Sequence, residues 1–177
     1  MMAPLLAALR WIDENLEKWV ILAAYMTMGG IIFVEVIRRF AFSLQAPWST
    51  SVPVYLFLWV TWLGCAYNVK IRTHLSFDEL RLRMPYNVQF LCLILDAFCW
   101  IGFSLIVVYF TIEQVQVVHM NFAIVQGTDD IMQWWFYTIT PVAWALIIYR
   151  SLENLWRDYQ QYKRKEPFQI VHSILGD

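Results

Sequence analysis

The sequence predicts an all-α integral membrane protein with four transmembrane helices, both termini in the cytoplasm, and amphipathic interfacial helices at the N-terminus and between spans 2 and 3. The first observation is composition, because 60% of the 177 residues are hydrophobic and only 15% are charged, against roughly 25% charged in soluble domains. The second is that the charges are confined to a few stretches, which leaves uncharged runs long enough to cross roughly 30 Å of hydrocarbon. The third is an uneven distribution of Lys and Arg among the loops.

The N-terminal stretch predicts a helix at the cytoplasmic surface over residues 4–18. Leu5, Leu9 and Ile12 recur at helical spacing, while charged residues occupy the other faces. Acidic residues precede the first apolar run and no small-residue cleavage site follows it, which argues against a cleaved signal peptide. We therefore expect the first span, residues 20–40, to stay in the mature protein.

Hydropathy predicts three further spans, at residues 52–69, 88–118 and 131–149. The third of the four spans is longer than the hydrocarbon thickness, so it is expected to tilt or protrude. Gly127 is expected to stop that span, and Thr128, followed by two aspartates, to start the fourth.

A second interfacial helix is predicted over residues 76–84, between spans 2 and 3. Ser76 and Glu79 form an S-x-x-E capping box, and apolar residues such as Phe77 and Leu80 follow at helical spacing. The stretch is too charged to cross the bilayer. We expect it to lie flat on the inner surface and to anchor the bundle there.

The basic residues predict the orientation. The N-terminal segment carries two Lys or Arg residues, the loop between spans 2 and 3 carries four, and the segment after span 4 carries five, against only Arg38 and Arg39 on the other side, at the outer end of span 1. The positive-inside rule then places both termini and the middle loop in the cytoplasm, with residues 157–177 as a cytoplasmic tail. The whole chain, residues 1–177, is predicted to be a single membrane domain.

Ionisable residues near the spans are few, and each has a structural interpretation beside a functional one. Asp96 in span 3 is either an ion or proton ligand or a structural group bonded to a Trp indole, a hydroxyl or a partner chain; we favour the structural role. Glu35 and Arg39 are i,i+4 neighbours, so a helix-surface pair accounts for them. Alternatively, Arg38 and Arg39 face an acidic partner outside the membrane.

The sequence lacks the residue patterns that several enzyme classes need. His74, His119 and His172 are scattered, and no CxxC pair, G-x-S-x-G, H-E-x-x-H or phosphate-binding glycine loop occurs. We expect no catalytic, substrate-binding or metal-binding residue and no cofactor in this chain. Interior indoles such as Trp59 and Trp62 fit either a partner-facing subunit or the bundle's own core.

Several loose motifs follow one another along nearly the whole chain. An Arg near the outer end of span 1, in "EVIRRFAF", is followed by a Pro and a Trp, and span 2 carries an aromatic run that ends in Leu-Gly-small. A His then opens the inner segment with an acidic residue behind it, and paired tryptophans and a Pro accompany the last span. The residues concerned are Pro47, Trp48, Gly64, His74, Asp78, Trp134, Trp135 and Pro141.

In their order and spacing these motifs resemble the small membrane subunit (the Q, or DctQ-like, component) of tripartite ATP-independent periplasmic (TRAP) transporters. The resemblance implies a scaffold subunit in the bacterial inner membrane that assembles with a larger M subunit and works with a periplasmic substrate-binding protein. It implies sodium-coupled import of a carboxylate, either a C4-dicarboxylate or sialic acid or another sugar acid, with the sodium and substrate sites in M. Separately, the net charge of −1 suggests no nucleic acid partner.

The chain departs from that family in one place, and two alternative functions remain open. The family commonly has one or two Glu and then an Arg after the Trp before span 2, whereas this chain reads "WSTSVPVY", so the contacts of those charges should be absent or replaced. One alternative is an autonomous small antiporter acting as a dimer, which would rely on Asp96. The other is a membrane anchor for a redox enzyme, which the scattered histidines disfavour.

Overall fold

The structure is a computed structural model that describes residues 2–73 and 84–166, with side chains described from Asp13 onward except that of Glu14. Its elements are α1 (Met2–Phe42), a 3-10 turn (Pro47–Ser49), α2 (Ser51–Ile71), α3 (Tyr86–Met120), α4 (Trp134–Tyr137) and α5 (Ile139–Arg164). Within those residues no strand forms, and an antiparallel bridge joins Ile124 to Met132. The predicted all-α class is therefore confirmed for the described part of the chain.

Among the described residues, three segments are long and apolar enough to cross a membrane. They are Asn15–Phe42, Pro47–Ile71 and Tyr86–Met120, with mean hydropathies of 2.1, 1.4 and 2.4. The fourth predicted span, at residues 131–149, has a different layout from the one expected. Helix begins there only at Trp134, and α5 continues past the apolar stretch to Arg164, so a fourth crossing stays a prediction.

The first helix joins two segments that were predicted as separate elements. Residues 4–18 and the span after them form one helix, α1, of 41 residues, which is about 62 Å long at about 1.5 Å per residue. The surface position of its first turns stays a prediction. The second predicted interfacial helix falls almost entirely on residues 74–83, which lie outside the described residues together with His74 and Asp78.

Three helices end without a glycine at the turn that closes them. After α2, Arg72 adopts a φ of 56°, and the N–H groups of Arg72 and Thr73 donate to the carbonyls three and five residues back, at 3.3 and 3.2 Å. This is the Schellman pattern, which usually places Gly at the left-handed position. Phe122 (φ 48°) and Lys165 (φ 55°) close α3 and α5 in the same way.

Two of the predicted boundaries are wrong. α3 ends at Met120, well before Gly127, and Thr128 does not begin a helix. Instead, the chain folds back on itself in a turn, in which the Val125 N–H donates to the Ile131 carbonyl at 2.8 Å. The Thr128 hydroxyl donates to the Val125 carbonyl at 2.7 Å, so it closes this turn rather than capping a helix.

The chain divides into two compact units. Unit 1 is formed by Met1–Gly64 and Thr111–Pro141, and unit 2 by Cys65–Phe110 and Val142–Asp177. Val125 is fully buried in unit 1, and Ile147 is fully buried in unit 2. Each unit therefore has a small apolar core of its own.

Candidate functional site

In unit 1 the Glu35 carboxylate joins the end of α1 to the segment that precedes α2. Its Oε1 accepts a hydrogen bond from the Ala46 N–H at 2.8 Å, and its Oε2 lies 3.6 Å from an Arg38 guanidinium nitrogen. Because Ala46 is buried, loss of the Glu35 acceptor would leave the Ala46 N–H without a hydrogen-bond partner in the protein interior. The predicted pairing of Glu35 with Arg39 is wrong: the carboxylate turns toward Arg38 and the loop, and Arg39 is exposed.

In the Pro47 segment, defined as Ala46–Ser49, uncharged groups make the hydrogen bonds that close the turn. The Ser49 side chain is buried and donates to the Ala46 carbonyl at 2.6 Å. The family that the motifs resemble commonly has charged residues after the Trp matched by Trp48, and their contacts were expected to be absent or replaced here. In this chain a serine takes the first of those positions, and its contact is internal to the turn.

Gly127 packs directly against the same segment. A Cβ on Gly127 would lie 2.3 Å from the Pro47 carbonyl carbon and 2.6 Å from the Trp48 nitrogen, and Gly127 adopts a φ of 81°. Both the approach and the backbone conformation exclude a side chain. The Pro47 segment is thus held by Glu35 and by the turn around Gly127.

Aromatic stacking fixes α4 within unit 1. Trp134 stacks on Trp135 with ring centroids 4.4 Å apart, and it contacts the His119 ring edge-on at 5.2 Å. Tyr55 of α2 stacks on Phe136 at 4.9 Å. The structure therefore brings the predicted tryptophan pair together and attaches α4 to the start of α2 and the end of α3.

The other predicted residues are not gathered into one site. Asp96 is exposed on α3, Pro141 is half-buried in the first turn of α5, and no atom lies within 4 Å of a Cβ built on Gly64. Trp59 and Trp62 are half-buried in α2, and the Trp59 indole N–H is buried without an acceptor among the described residues.

Unit 2 contains a polar network that sequence reasoning missed. We call Val69, Arg72, Asn154 and Asp158 the Arg72 network. An Arg72 guanidinium nitrogen lies 2.7 Å from Asp158 Oδ1, and another donates to the Asn154 carbonyl at 3.0 Å. The Asn154 amide donates to the Val69 carbonyl at 2.9 Å. The Asp158 side chain is only 5% exposed, so this is a largely desolvated clamp between the end of α2 and α5.

A second missed cluster in unit 2 is the Tyr162 stack, formed by Tyr86, Phe90 and Tyr162. The Phe90 and Tyr86 rings lie 4.1 and 5.6 Å from the Tyr162 ring, both nearly parallel to it. The Tyr86 hydroxyl donates to the Glu166 carbonyl at 3.0 Å. The start of α3 is therefore attached to the end of α5.

These clusters position helix ends. Within the part of the chain that the structure describes, no three His, Cys, Asp or Glu side chains come together as a metal site. The three cysteines are free thiols.

Comparison with known proteins identifies the family. Residues 28–161 match the model of the DctQ component of tripartite ATP-independent periplasmic transporters. The chain belongs to the DctQ family. The match covers the Glu35 contacts, the Pro47 segment and the Arg72 network of this DctQ-family protein, and it confirms the resemblance found from the motifs.

Three curated relatives are similar to this DctQ-family chain at low identity. The isethionate TRAP transporter permease protein DctMQ of Oleidesulfovibrio alaskensis is 21% identical over 155 residues, which are 83% of this chain and 24% of that protein. The C4-dicarboxylate TRAP transporter small permease protein DctQ of Vibrio cholerae is 25% identical over 93 residues, 52% of this chain and 40% of that protein. The protein of the same name from Pseudomonas aeruginosa is 28% identical over 115 residues, 64% of this chain and 55% of that protein.

The matched regions thus span 24% to 55% of the lengths of these relatives. Membership of the DctQ family, together with three apolar helices, makes the chain a multi-pass protein of the inner membrane.

Proposed function

We propose that this chain is the small scaffold subunit of a sodium-coupled, binding-protein-dependent secondary transporter that imports a carboxylate. In this proposal it assembles with a larger M subunit, which holds the substrate and sodium sites, and a periplasmic binding protein delivers the substrate. The observation that carries the proposal is the match to the DctQ component over residues 28–161. The name of one relative, DctMQ, joins M and Q, which supports the proposed assembly.

The surface of α1 supports a role in assembly. Only 6% of the most apolar stretch within Asn15–Phe42 is buried by the chain itself. We define the open face of α1 as Met26, Gly29, Gly30, Phe33 and Ile37, which recur at helical spacing. The three apolar side chains of this face are 45% to 67% exposed, and apart from the surrounding helix backbone no described atom lies within 4 Å of a Cβ built on either glycine.

Small residues on a membrane helix let a second helix approach closely, because backbone meets backbone without intervening side chains. We propose that M packs against the open face of α1 around Gly29 and Gly30. Lipid would cover the same face equally well if the chain acted alone.

The names of the relatives guide the proposed substrate. Two are named for C4-dicarboxylates and one for isethionate. We propose a C4-dicarboxylate as the first candidate substrate and sialic acid or another sugar acid as the second. This chain would bind neither, since selection belongs to the binding protein and to M.

Co-purification tests the scaffold proposal. The full-length tagged chain would be extracted from native membranes in mild detergent, and the proteins that accompany it would be identified by mass spectrometry. We expect a stoichiometric, larger multi-span subunit. Recovery of the chain alone as a homo-oligomer would contradict the proposal and favour the autonomous antiporter.

Reconstituted uptake tests the transport proposal. Proteoliposomes that contain M, with and without this chain, would be supplied with the binding protein, a labelled C4-dicarboxylate and an inward sodium gradient. We expect uptake only when both subunits and the gradient are present. Full uptake by M without this chain would exclude the scaffold role.

A further inference from the structure

A cavity opens on the surface of unit 2 beside the Tyr162 stack. It has a volume of about 390 Å³ and is lined by Tyr86, Asn87, Tyr162, Lys163 and Lys165. This volume lies within the range of small-molecule sites. We call it the Lys163 cavity.

The described residues that line the Lys163 cavity carry positive charge, and the Glu166 carboxylate lies near Tyr86 beside them. The described lining residues include two lysines and no acidic side chain. A second cavity near the end of α5, of about 320 Å³, is lined by Arg157 and Arg164 but also by Glu166. Of these two cavities, the Lys163 cavity is therefore the one complementary to an anion.

The walls of the cavity are held in place by contacts on both helices. The Tyr162 hydroxyl donates to Asn87 Oδ1 at 3.3 Å, and the Tyr86 hydroxyl donates to the Glu166 carbonyl at 3.0 Å. Lys165 takes the left-handed position of a Schellman turn, with a φ of 55°. The Lys165 and Glu166 N–H groups donate to the Tyr162 and Gln161 carbonyls at 3.1 Å each, which holds the backbone that carries Lys165 against the end of α5.

The cavity lies at the end of a membrane-spanning helix. Tyr86 and Asn87 are the first two residues of the Tyr86–Met120 segment, which is long and apolar enough to cross the bilayer. Aromatic rings beside Lys side chains are typical of the depth at which lipid headgroups lie. At that depth the abundant anion is a phospholipid headgroup, and the aromatic floor of the cavity can contact the glycerol and upper acyl carbons.

We propose that the Lys163 cavity binds the headgroup of an anionic phospholipid, with the ammonium groups of Lys163 and Lys165 facing the phosphate and the Tyr162 stack contacting the apolar part of the lipid. The proposal is independent of the scaffold function and of the M subunit. It predicts that the end of α5 is held at the membrane surface by a specific lipid as well as by the fold.

Native mass spectrometry of the purified full-length chain tests this site. Phosphatidylglycerol and phosphatidylcholine with the same acyl chains would be titrated against the wild-type chain and the double variant K163Q/K165Q. We expect phosphatidylglycerol to bind more tightly than phosphatidylcholine to the wild type. The double variant should lose about 30-fold in affinity for phosphatidylglycerol, which corresponds to about 2 kcal/mol, the contribution of two lysines near an anionic membrane surface.

The double variant R157Q/R164Q is the matched control, because it removes the same charge from the same helix end and alters the neighbouring cavity. We expect it to keep most of the wild-type affinity, and K163R/K165R to keep it as well. An equal loss in R157Q/R164Q would overturn the proposal in favour of a diffuse charge effect. Displacement of phosphatidylglycerol by millimolar glycerol 3-phosphate would also overturn it, because the site would then take a soluble phosphate.

Discussion

At the residue scale, Gly127 shows how a single backbone position holds the Pro47 segment. Gly127 has a positive φ of 81°, and a Cβ built on it would lie 2.3 Å from the Pro47 carbonyl carbon. Both features exclude a methyl group at this position. We expect Gly127→Ala to lower the free energy of unfolding by about 2–5 kcal/mol, from about 1–2 for the left-handed backbone and about 1–3 for overpacking. Thermal unfolding in detergent, followed by tryptophan fluorescence, measures this change.

Gly102→Ala is the control for that substitution. Gly102 lies within α3, and a Cβ there meets no atom within 4 Å. Alanine is a better helix former than glycine by about 0.5–1 kcal/mol, so this variant should unfold at the same temperature or slightly higher. Equal destabilisation by the two alanines would show that the contact with Pro47 does not determine stability.

The Arg72–Asp158 pair gives a second prediction at this scale. Arg72→Ala would leave the Asp158 carboxylate, 5% exposed, without its guanidinium. We expect a loss of about 3 kcal/mol in unfolding free energy, the lower part of the range for a broken buried pair, because Arg72 itself is 22% exposed. The double variant R72A/D158A should recover part of this loss, since no buried charge remains. No change in the midpoint for R72A would indicate that water screens the pair.

At the element scale, the open face of α1 carries the proposed contact with M. Gly30→Leu would place a bulky side chain where a second helix has to approach, while improving the helix propensity of α1 itself. We expect the variant to fold and reach the membrane but to recover much less M in co-purification. Gly102→Leu, also unobstructed within 4 Å, is the control and should recover M normally. Normal recovery with Gly30→Leu would place the M interface elsewhere.

Sequence periodicity predicted the long helices well because hydropathy is a local property. It did not predict where the helices end, since Arg72, Phe122 and Lys165 occupy left-handed backbone positions, where Gly is the usual residue. Gly127 was predicted to stop span 3, but its position is determined by contact with Pro47, far away in the chain.

The residues of the candidate sites were predictable only where a local sequence pattern marks them. The search for ionisable residues near the spans located Glu35, and motif order located Trp134 and Trp135; the structure places all three in contacts. The link between Arg72 and Asp158, 86 residues apart, has no local signature, so it required the fold.

At the scale of the whole molecule, the number of crossings is the main topological question. Residues 134–149, from the start of α4 through the apolar part of α5, number 16 and span about 24 Å if fully helical, which is shorter than roughly 30 Å of hydrocarbon. Exposed Trp135 lies at the start of this stretch and exposed Trp156 lies beyond its end, and both are suited to the two interfaces. Four crossings require either a locally thinned bilayer or a crossing segment that includes the turns of α5 up to Trp156.

Cysteine labelling decides this point. In a chain with Cys65, Cys92 and Cys99 replaced by Ser, single variants Asp129→Cys and Glu166→Cys would be exposed to a membrane-impermeant maleimide in intact spheroplasts. Four crossings with both termini inside predict labelling of the Asp129→Cys variant at once and of the Glu166→Cys variant only after lysis. Labelling of both variants in intact spheroplasts would mean that the last segment does not cross.

The unbroken course of α1 has a mechanical consequence. Because α1 is a single helix of 41 residues, a change in the tilt of the whole helix moves its first turns and Glu35, near its other end, together. Through the Glu35 bond to Ala46, such a tilt would also displace the Pro47 segment.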